Sequence, residues 1–468
     1  MPQTDLIVRN GTIVNSDKTF QGDIAVADRR IVDVKGRIDY KGKTEIDAQG
    51  MLVFPGGIDS HCHVSQVSSS GVKTADNFLT ATQTAAFGGI TTIIPFAAQK
   101  KGESLKETIA DYHRASDDYA IVDYAFHIII SDVNVATITT EMKELIEQGY
   151  TSFKVYMTYD AVKLSDKNII RVLDIANQHG VTVMVHAESD DLLTWLTEKL
   201  VEENKVHTKF HADARPKAVE REAVHRAISM TEVIGARMLL VHVSGAESVE
   251  QLRWAKSKKI KIYAETCPQY LTLTFSELDR PNFEGAKYCC SPPLRDDESI
   301  SSLWKALEDE IIEIYSSDHS VYRFDDPSGK KAFGMTAPFY RIPMGIPGLA
   351  TSLPILFSEG VVKRGLSLEK FARLTSWNAA KLYGLSHCKG RIEIGYDADF
   401  AIWDESRINI IQHEAIEGVA DYSPYEGMEL KGWPVTTISG GDVVCHEGKV
   451  RDDGGHGQFL RCGLGRAI

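Results

Sequence analysis

The sequence lacks long hydrophobic runs, a basic surface and a targeting segment. No run of about 18 apolar residues occurs, so no membrane-spanning helix is predicted. Asp and Glu number 65 against 52 Lys and Arg, and the net charge of −13 leaves no basic stripe that could bind nucleic acid. The opening residues, MPQTDLIVRNGTIVN, do not show the basic and then apolar layout of a signal peptide. These absences exclude membrane and nucleic-acid partners.

Cysteines are few and form no pattern. Their number is odd and no CxxC pair occurs: Cys62, Cys267, Cys289, Cys290, Cys388, Cys445 and Cys462. A disulfide framework is therefore not predicted, and reduced thiols in a cytoplasmic compartment are expected instead. Most of these side chains are expected to be small buried apolar groups.

Both ends of the chain show short segments in which apolar and polar residues alternate. At the start these are LIVRNGTIVN, DIAVADRRIVDVKG and KTEIDAQG, and similar segments return at 390–405 and 435–450. Alternation with Gly, Asn and Asp at the turns is typical of antiparallel strands. We expect one small β-sandwich domain formed by residues 1–54 and 385–468, the latter ending in a C-terminal arm.

The middle of the chain, residues 55–384, has a different rhythm. Short apolar, β-branched runs alternate with amphipathic helical stretches such as TEMKELIEQG and NIIRVLDIANQHG. The predicted strands lie within 51–64, 90–97, 121–130, 151–157, 181–188, 238–245, 261–267 and 311–319. Strand–helix alternation implies parallel strands, and eight such units imply an α/β fold of the (β/α)8 barrel type. Active sites of such barrels lie at the C-terminal ends of the strands.

Nitrogen and oxygen donors follow the ends of these predicted strands. They are His61, His63, Lys154, His186, His242 and Asp318. One histidine near a strand end is usually a packed, hydrogen-bonded residue, but this many donors on one rim are hard to explain in that way. Imidazole and carboxylate ligands suit Zn²⁺ and similar ions. The sequence therefore predicts a metal site.

Lys154 is the unusual member of this set. An ammonium group repels metal cations, and burying it unpaired inside a barrel is costly. Lys154 could pair with a carboxylate such as Asp318. Alternatively, its neutral amine could add CO2 to form a carbamate, whose two oxygens can bridge two metal ions. Both alternatives remain open from the residues alone.

The segment GIDSHCHV places a cysteine between two of the histidines. Successive side chains of a strand point to opposite faces, so His61 and His63 share one face and Cys62 lies on the other. We expect both histidines to face the barrel interior. Cys62 should pack outward against the helices and bind no metal.

Motifs along nearly the whole chain identify a family. They are FPGGIDSHCH (54–63), GGITTII (88–94), SFKVYMTY (152–159), VHAES (185–189), VHVSG (241–245), ETCPQYL (265–271), FEGAKY (283–288), SPPLR (291–295), SSDHS (316–320), IPMGIPG (342–348) and DYSPYEG (421–427). In these motifs the chain resembles the dihydropyrimidinase/hydantoinase branch of the amidohydrolase superfamily, whose members are cyclic amidohydrolases.

The resemblance implies a metal centre and a reaction. The ligands of two Zn²⁺ ions would be His61, His63 and Asp318 for the more buried ion, His186 and His242 for the second, and Lys154, carboxylated, bridging both. A bridging hydroxide would attack the carbonyl of a dihydropyrimidine or hydantoin ring and give an N-carbamoyl amino acid. Asp318 would accept the proton of the hydroxide and pass it to the departing ring nitrogen.

The resemblance also implies the groups that contact the substrate. Tyr159 would donate a hydrogen bond to the developing oxyanion. Main-chain groups at Ser291 and Met344 would bind the ring amide. Relatives commonly carry Asn at the position of Met344, and dihydroorotase relatives carry Arg at the position of Ser65, where it grips a substrate carboxylate. An anionic ring such as dihydroorotate is therefore not expected.

Two further positions distinguish this chain, and both concern the choice of substrate. The loop 65–78 is small and polar; in the family this region shapes the pocket for the exocyclic group, whereas the simpler alternative is a solvated loop. Ser320 replaces a cysteine common in the family. The same metal chemistry could thus act on another ring, such as a cyclic imide, a lactam or allantoin.

Two properties are implied only through the family. Some relatives are non-catalytic and act through protein partners, but they have lost metal ligands that are intact here. Family members are mostly homotetramers and sometimes dimers. The Gly-rich segment GGHGQFLRCGLGRAI could be an arm across a subunit contact, or a frayed tail.

Overall fold

The computed structural model describes residues 4–68 and 70–468, which form a parallel barrel and a second, mostly antiparallel sheet. The barrel strands follow one another in chain order: Gly57–Cys62, Ile90–Ala98, Asp123–Tyr124 with His127–Ile129, Ser152–Tyr156, Thr182–His186, Arg237–Leu240, Ile262–Thr266 and Ile314–Tyr315. The barrel closes where Cys62 forms a parallel bridge with His319 and the His63 N–H donates to the His319 carbonyl at 2.7 Å. The predicted (β/α)8 barrel is confirmed.

Two strands differ from their predicted form. The third is split, because Tyr124 pairs with the strand Ile90–Ala98 on one side and with Phe459 of the C-terminal segment on the other. Only His127–Ile129 then reaches the fourth strand. The last strand is two residues long, since the backbone turns away before Asp318, whose φ is 51°.

Helices cover the outside of the barrel and extend its loops. The α-helices are Phe78–Phe87, Leu105–Ser116, Met142–Glu147, Asp166–His179, Asp190–Glu202, Phe210–Ala214, Lys217–Ile234, Ala246–Ser257, Pro268–Thr272, Asp297–Glu308, Ser352–Ile355, Leu368–Ala372 and Asn378–Leu382. The predicted helix at 168–180 is Asp166–His179, and it ends at Gly180, whose φ of 68° is accessible to glycine without strain. Within the described ranges, no helix combines the length and apolar character needed to cross a bilayer.

The second sheet is built from both ends of the chain. Its strands are Leu6–Val14, Thr19–Ala27, Arg30–Lys35, Thr44–Asp47, Leu52–Pro55, Phe400–Ile410, Glu429–Ser439, Asp442–His446 and Lys449–Val450. The two halves meet where Phe400–Ile410 pairs antiparallel with Leu52–Pro55. The predicted domain formed by both chain ends is confirmed as a fold, although the strand expected within 390–405 begins only at Phe400. The domain limits 1–54, 55–384 and 385–468 stay a prediction.

A buried ion cluster joins the two sheets. The Lys389 ammonium contacts the carboxylates of Asp123 in the barrel and of Asp397 and Asp399 beside the second sheet. Burial alone would lower the pKa of Lys389, but the three carboxylates raise it, so this lysine stays charged. Because Lys389, Asp123 and Asp399 are buried and Asp397 is partly buried, the cluster holds the second sheet against the barrel.

The C-terminal segment packs on the barrel of its own chain. The Leu460 N–H donates to the Tyr124 carbonyl at 2.7 Å and the Cys462 N–H to the Gly149 carbonyl at 2.9 Å. The Phe459 ring lies 4.6 Å from the His113 ring. The contacted residues precede or begin barrel strands, so the segment lies across the N-terminal end of the barrel. It is not a frayed tail; a role in a subunit contact stays a prediction.

Candidate metal centre and substrate cavity

Three of the predicted ligands meet at one side of the C-terminal rim. His61 lies in the strand Gly57–Cys62, His63 follows it, and Asp318 comes just after the last strand. Asp318 Oδ1 lies 3.1 Å from His61 Nε2 and 3.4 Å from His63 Nε2. Each side chain offers a ligand atom, and the three atoms lie within 4.8 Å of one another. Imidazole nitrogens and a carboxylate in this arrangement fit a zinc ion.

The other two histidines form a second group beside the first. His186 ends the strand Thr182–His186, and His242 lies two residues beyond the strand Arg237–Leu240. His186 Nδ1 and His242 Nε2 face each other at 2.8 Å. Burial lowers the pKa of both rings, which favours the neutral, metal-binding form. The His242 ring centroid lies 5.3 Å from that of His61, so the two groups are adjacent.

Lys154 lies between these groups in the strand Ser152–Tyr156. Its side chain is fully buried, and its Nζ has no hydrogen-bond partner within the described residues. The ammonium faces the rings of Phe96 and Tyr156 at 4.8 and 5.2 Å, and no ion pair with Asp318 is formed. Burial lowers the pKa of Lys154 to about 8. An unpaired buried amine with this pKa is chemically able to add CO2 when neutral.

The electrostatic field at the rim favours a positive charge beside His61. Burial would lower the pKa of His61, but the carboxylates of Glu265 and Asp318 raise it to about 9. A field that retains a proton at this imidazole also attracts a metal cation. Together with the partnerless amine of Lys154, this field fits a metal centre held by the predicted residues.

A layer of acceptors behind the histidines was missed by the sequence analysis. Glu265 Oε1 lies 2.6 Å from His61 Nδ1, Gln66 Oε1 lies 2.7 Å from His63 Nδ1, and Glu188 Oε2 lies 2.7 Å from His186 Nε2. Such partners fix the ring orientation and the tautomer of a ligating histidine. The sequence signals that could have indicated this layer were Glu188 in VHAES and Glu265 in the seventh strand.

Replacing Glu265 with Gln tests this layer. The substitution keeps the size of the side chain but removes the charge that orients His61, so metal affinity should fall about 10- to 100-fold. A competition assay with a chelating dye measures that affinity. Glu277→Gln, in an exposed ion pair with Arg280, is the matched control and should bind metal normally. Equal affinity in Glu265→Gln and the unaltered protein would contradict the orienting role.

The rim opens into one large cavity of about 1020 Å³. Its wall includes His61 and Asp318 together with the three predicted substrate-contacting residues, Tyr159, Ser291 and Met344. The buried Ser291 hydroxyl has no hydrogen-bond partner in the described part of the chain. The two histidine groups and the three predicted contacts therefore line one and the same cavity.

Tyr159 lies between the histidines and a buried arginine. Its ring centroid is 5.3 Å from the His186 ring and 5.3 Å from the Arg215 guanidinium carbon. Arg215 also pairs with Glu188, the acceptor behind His186. Burial raises the pKa of Tyr159 to about 12, and Arg215 opposes the rise. The phenol therefore keeps its proton at neutral pH and can donate a hydrogen bond.

Comparison with known proteins identifies the family. The model of the amidohydrolase family matches residues 52–444. The chain belongs to the amidohydrolase family. The D-hydantoinase of Geobacillus stearothermophilus is 39% identical over 456 residues, which cover 97% of this amidohydrolase and 96% of that protein. The D-hydantoinase of Ralstonia pickettii is 40% identical over 458 residues, 98% of each chain.

Solved structures of amidohydrolases show the same fold. The dihydropyrimidinase of Brevibacillus agri superimposes with a TM-score of 0.96 at 37% identity and covers 99% of this chain and 100% of its own. The L-hydantoinase of Arthrobacter aurescens gives a TM-score of 0.88 at 28% identity and covers 98% and 100%. Membership of the hydantoinase branch is confirmed.

The positions that set this amidohydrolase apart, from dihydroorotases at Ser65 and from its own branch at Ser320 and Met344, lie in the cavity wall. Ser65 and Ser320 both line it, as do Gln66, Val67 and Ser68 of the polar loop 65–78. Ser69 of that loop lies outside the described residues. The loop therefore forms part of the cavity wall and is not the purely solvated loop that was the alternative.

Cys62 lies away from the cavity of this amidohydrolase. It is fully buried and belongs to the hydrophobic cluster that contains Phe78 and Ala81 of the first helix. The expected separation of the two faces of this strand is confirmed, since His61 and His63 reach Asp318 while Cys62 packs outward.

Replacing Cys62 with Ser should lower stability without loss of metal. Burying a hydroxyl in place of the thiol at this apolar position costs about 1–3 kcal/mol of unfolding free energy. Chemical denaturation measures the cost, and elemental analysis measures the metal. Cys62→Ala, which creates a small cavity but buries no polar group, is the control. Loss of metal in both Cys62→Ser and Cys62→Ala would contradict the assignment.

Proposed function

We propose that this chain hydrolyses a cyclic amide of the dihydropyrimidine or hydantoin type and releases an N-carbamoyl amino acid. The observation that carries the proposal is the meeting of His61, His63, Asp318 and the pair His186–His242 at the rim of one cavity. Its relatives named D-hydantoinase, which match nearly the whole chain, support the same activity.

The proposed centre would hold two zinc ions. His61, His63 and Asp318 would hold one ion, His186 and His242 would hold the other, and Lys154, as a carbamate, would contribute to both. Support comes from the nitrogen and oxygen donor set and from the buried, partnerless amine of Lys154. When bound, the ions supply an activated water and polarise the substrate carbonyl.

Asp318 moves the proton in the proposed reaction. Burial would raise the pKa of its carboxyl, but His61 and His63 hold it well below its usual value, so the group is ionised. Its carboxylate faces the cavity, where it takes the proton of the attacking water. As the ring C–N bond breaks, the same proton passes to the departing nitrogen. The ring nitrogen thus leaves as a neutral amide.

Three residues hold the ring and its oxygen. The protonated phenol of Tyr159 donates to the carbonyl oxygen as charge develops on it. Main-chain groups at Ser291 and Met344 bind the ring amide, and side-chain identity at Met344 then matters little for the contact. The polar loop that contains Gln66 and Ser68 faces the exocyclic substituent of the substrate.

A substrate panel tests the proposed function. The purified protein, with its metal content determined, is assayed for ring opening of dihydrouracil, hydantoin, 5-substituted hydantoins, succinimide-type imides and allantoin. At least one dihydropyrimidine or hydantoin should be hydrolysed, and chelation should remove the activity. If only imides or allantoin were hydrolysed, the substrate of the enzyme would instead be a ring of that other type. Metal-loaded protein inactive on the whole panel would contradict the proposal and favour a non-catalytic family member.

We extend the proposal to the oligomeric state of the protein and to its cellular compartment. We expect a homotetramer, or a dimer, as in most of the branch. The seven cysteines are all buried and unpaired, which supports the reducing cytoplasm as the compartment. Light scattering of the purified protein measures the assembly, and a monomer would contradict this part of the proposal.

A further inference from the structure

Lys330 is a second fully buried lysine near the cavity, and the proposed reaction does not use it. Its side chain is 0% exposed, and no carboxylate pairs with it in the described part of the chain. Its Nζ donates to two main-chain carbonyls, that of Cys289 at 3.0 Å and that of Pro343 at 2.8 Å. Burying an ammonium group is costly, so these two hydrogen bonds require a structural or functional explanation.

The two carbonyls belong to the two segments that carry the predicted ring contacts. Cys289 lies two residues before Ser291, and Pro343 immediately precedes Met344. The segments also bond directly, because the Gly345 N–H donates to the Cys289 carbonyl at 3.0 Å. The Cys289 carbonyl thus accepts two hydrogen bonds, one from Lys330 Nζ and one from the Gly345 N–H. Lys330 joins the segments from behind, away from the cavity wall.

Neighbouring carbonyls of the first segment are held in the same way. His211 Nε2 donates to the Cys290 carbonyl at 2.8 Å, and the Tyr270 hydroxyl donates to the Pro292 carbonyl at 2.7 Å. By contrast, the main-chain N–H groups of Ser291 and Met344 donate to no main-chain carbonyl within the described residues. The carbonyls are occupied by the protein, and these two donors remain available to a ligand.

The hydrogen bond to Pro343 also affects the neighbouring donor. The Pro343 carbonyl and the Met344 N–H belong to one peptide group, and a cationic donor at the oxygen polarises the whole group. The Met344 N–H is therefore a stronger donor toward a ring carbonyl. An uncharged side chain in place of Lys330 could hold the segment in the same position, but it would polarise this peptide group less.

We propose that Lys330 is a positioning residue that fixes the segments 289–291 and 343–345 against each other, so that their main-chain groups bind the ring of the substrate. The positioning is a property of the free protein. Its consequence for the ring rests on the proposed function.

The first test follows hydrogen exchange in the free protein by mass spectrometry. Lys330→Met removes both hydrogen bonds, and exchange of peptides spanning 286–295 and 340–348 should accelerate about tenfold through local opening. Lys331→Met is the matched control, because this neighbouring lysine pairs with Asp325 instead. Unchanged exchange in Lys330→Met would overturn the proposal. This measurement is independent of any substrate.

The second test separates binding from turnover. In Lys330→Met the KM of the preferred cyclic amide should rise about tenfold, the loss expected from weakened hydrogen bonds to the ring. Turnover and metal content should change less than about threefold, because Lys330 touches neither the ligands nor the reacting atoms. A fall in kcat at unchanged KM would overturn the proposal.

A second variant covers the case in which Lys330→Met does not fold. Lys330→Gln keeps an amide donor, but it is shorter and uncharged, so it reaches one carbonyl and should give intermediate exchange and intermediate KM. Exchange and KM equal to those of the unaltered protein would overturn the proposal. If the unaltered protein hydrolyses no cyclic amide, the proposed function fails while the exchange test of Lys330 still stands.

Discussion

Replacing Lys154 with Ala is expected to abolish hydrolysis and to remove most of the bound metal. The fully buried amine lies among the proposed ligand histidines, and as a carbamate it would contribute to the binding of both zinc ions. Without it, the centre would lose the ligand that the two ions share. The value of kcat/KM should fall by at least about 10⁴-fold, as when a catalytic unit is broken.

Three measurements decide this prediction. Elemental analysis gives the metal per chain, and native mass spectrometry of the unaltered protein should show the added mass of one CO2. A short carboxylic acid, such as propionate, fits the volume that Lys154→Ala vacates and should restore part of the activity. Lys330→Met is the matched control, because burial also lowers the pKa of Lys330 to about 8 but its substitution should leave the metal in place. Full activity in Lys154→Ala would refute the bridging role.

Replacing Tyr159 with Phe is expected to slow turnover while the metal stays bound. The substitution removes only the hydroxyl, and the ring can keep its contacts with His186 and the Arg215 guanidinium. Loss of one donor to a developing oxyanion lowers kcat by about 10²- to 10³-fold. KM should change little, because this hydrogen bond strengthens mainly in the transition state.

Steady-state kinetics on the preferred substrate measure this effect. Tyr340→Phe is the matched control, because Tyr340 lines the same cavity but is half exposed at its mouth. It should keep kcat within about threefold. A kcat for Tyr159→Phe equal to that of the control would assign the oxyanion contact to another group. The pKa of Tyr159, about 12, further implies no loss of its donor proton between pH 6 and pH 9.

The sequence was sufficient to predict the barrel and the positions of the donors. Buried parallel strands appear as short apolar runs, and the side-chain alternation of a strand separates His61 and His63 from Cys62. Donors at the C-terminal strand ends of a barrel share one rim, so the sequence alone could place His186 and Asp318 on the same rim. The catalytic roles of these residues stay predictions.

Other parts of the site could not be predicted, because they depend on pairs that are distant in sequence. His61 and Glu265 are 204 positions apart, and no spacing rule connects them. The split of the third strand depends on Phe459, which pairs with Tyr124 from the far end of the chain. Lys330 belongs to no motif, and only its two carbonyl partners indicate its importance.

The path of the C-terminal segment determines how this protein can be attached to a surface. Cys462 and Ile468 pack at the N-terminal end of the barrel, whereas the cavity opens at the opposite rim. A resin, an electrode or a partner protein attached through this segment would therefore stand behind the barrel. Substrate would reach the cavity mouth unobstructed, and a tether at this end should cost less activity than one placed on the loop 65–78.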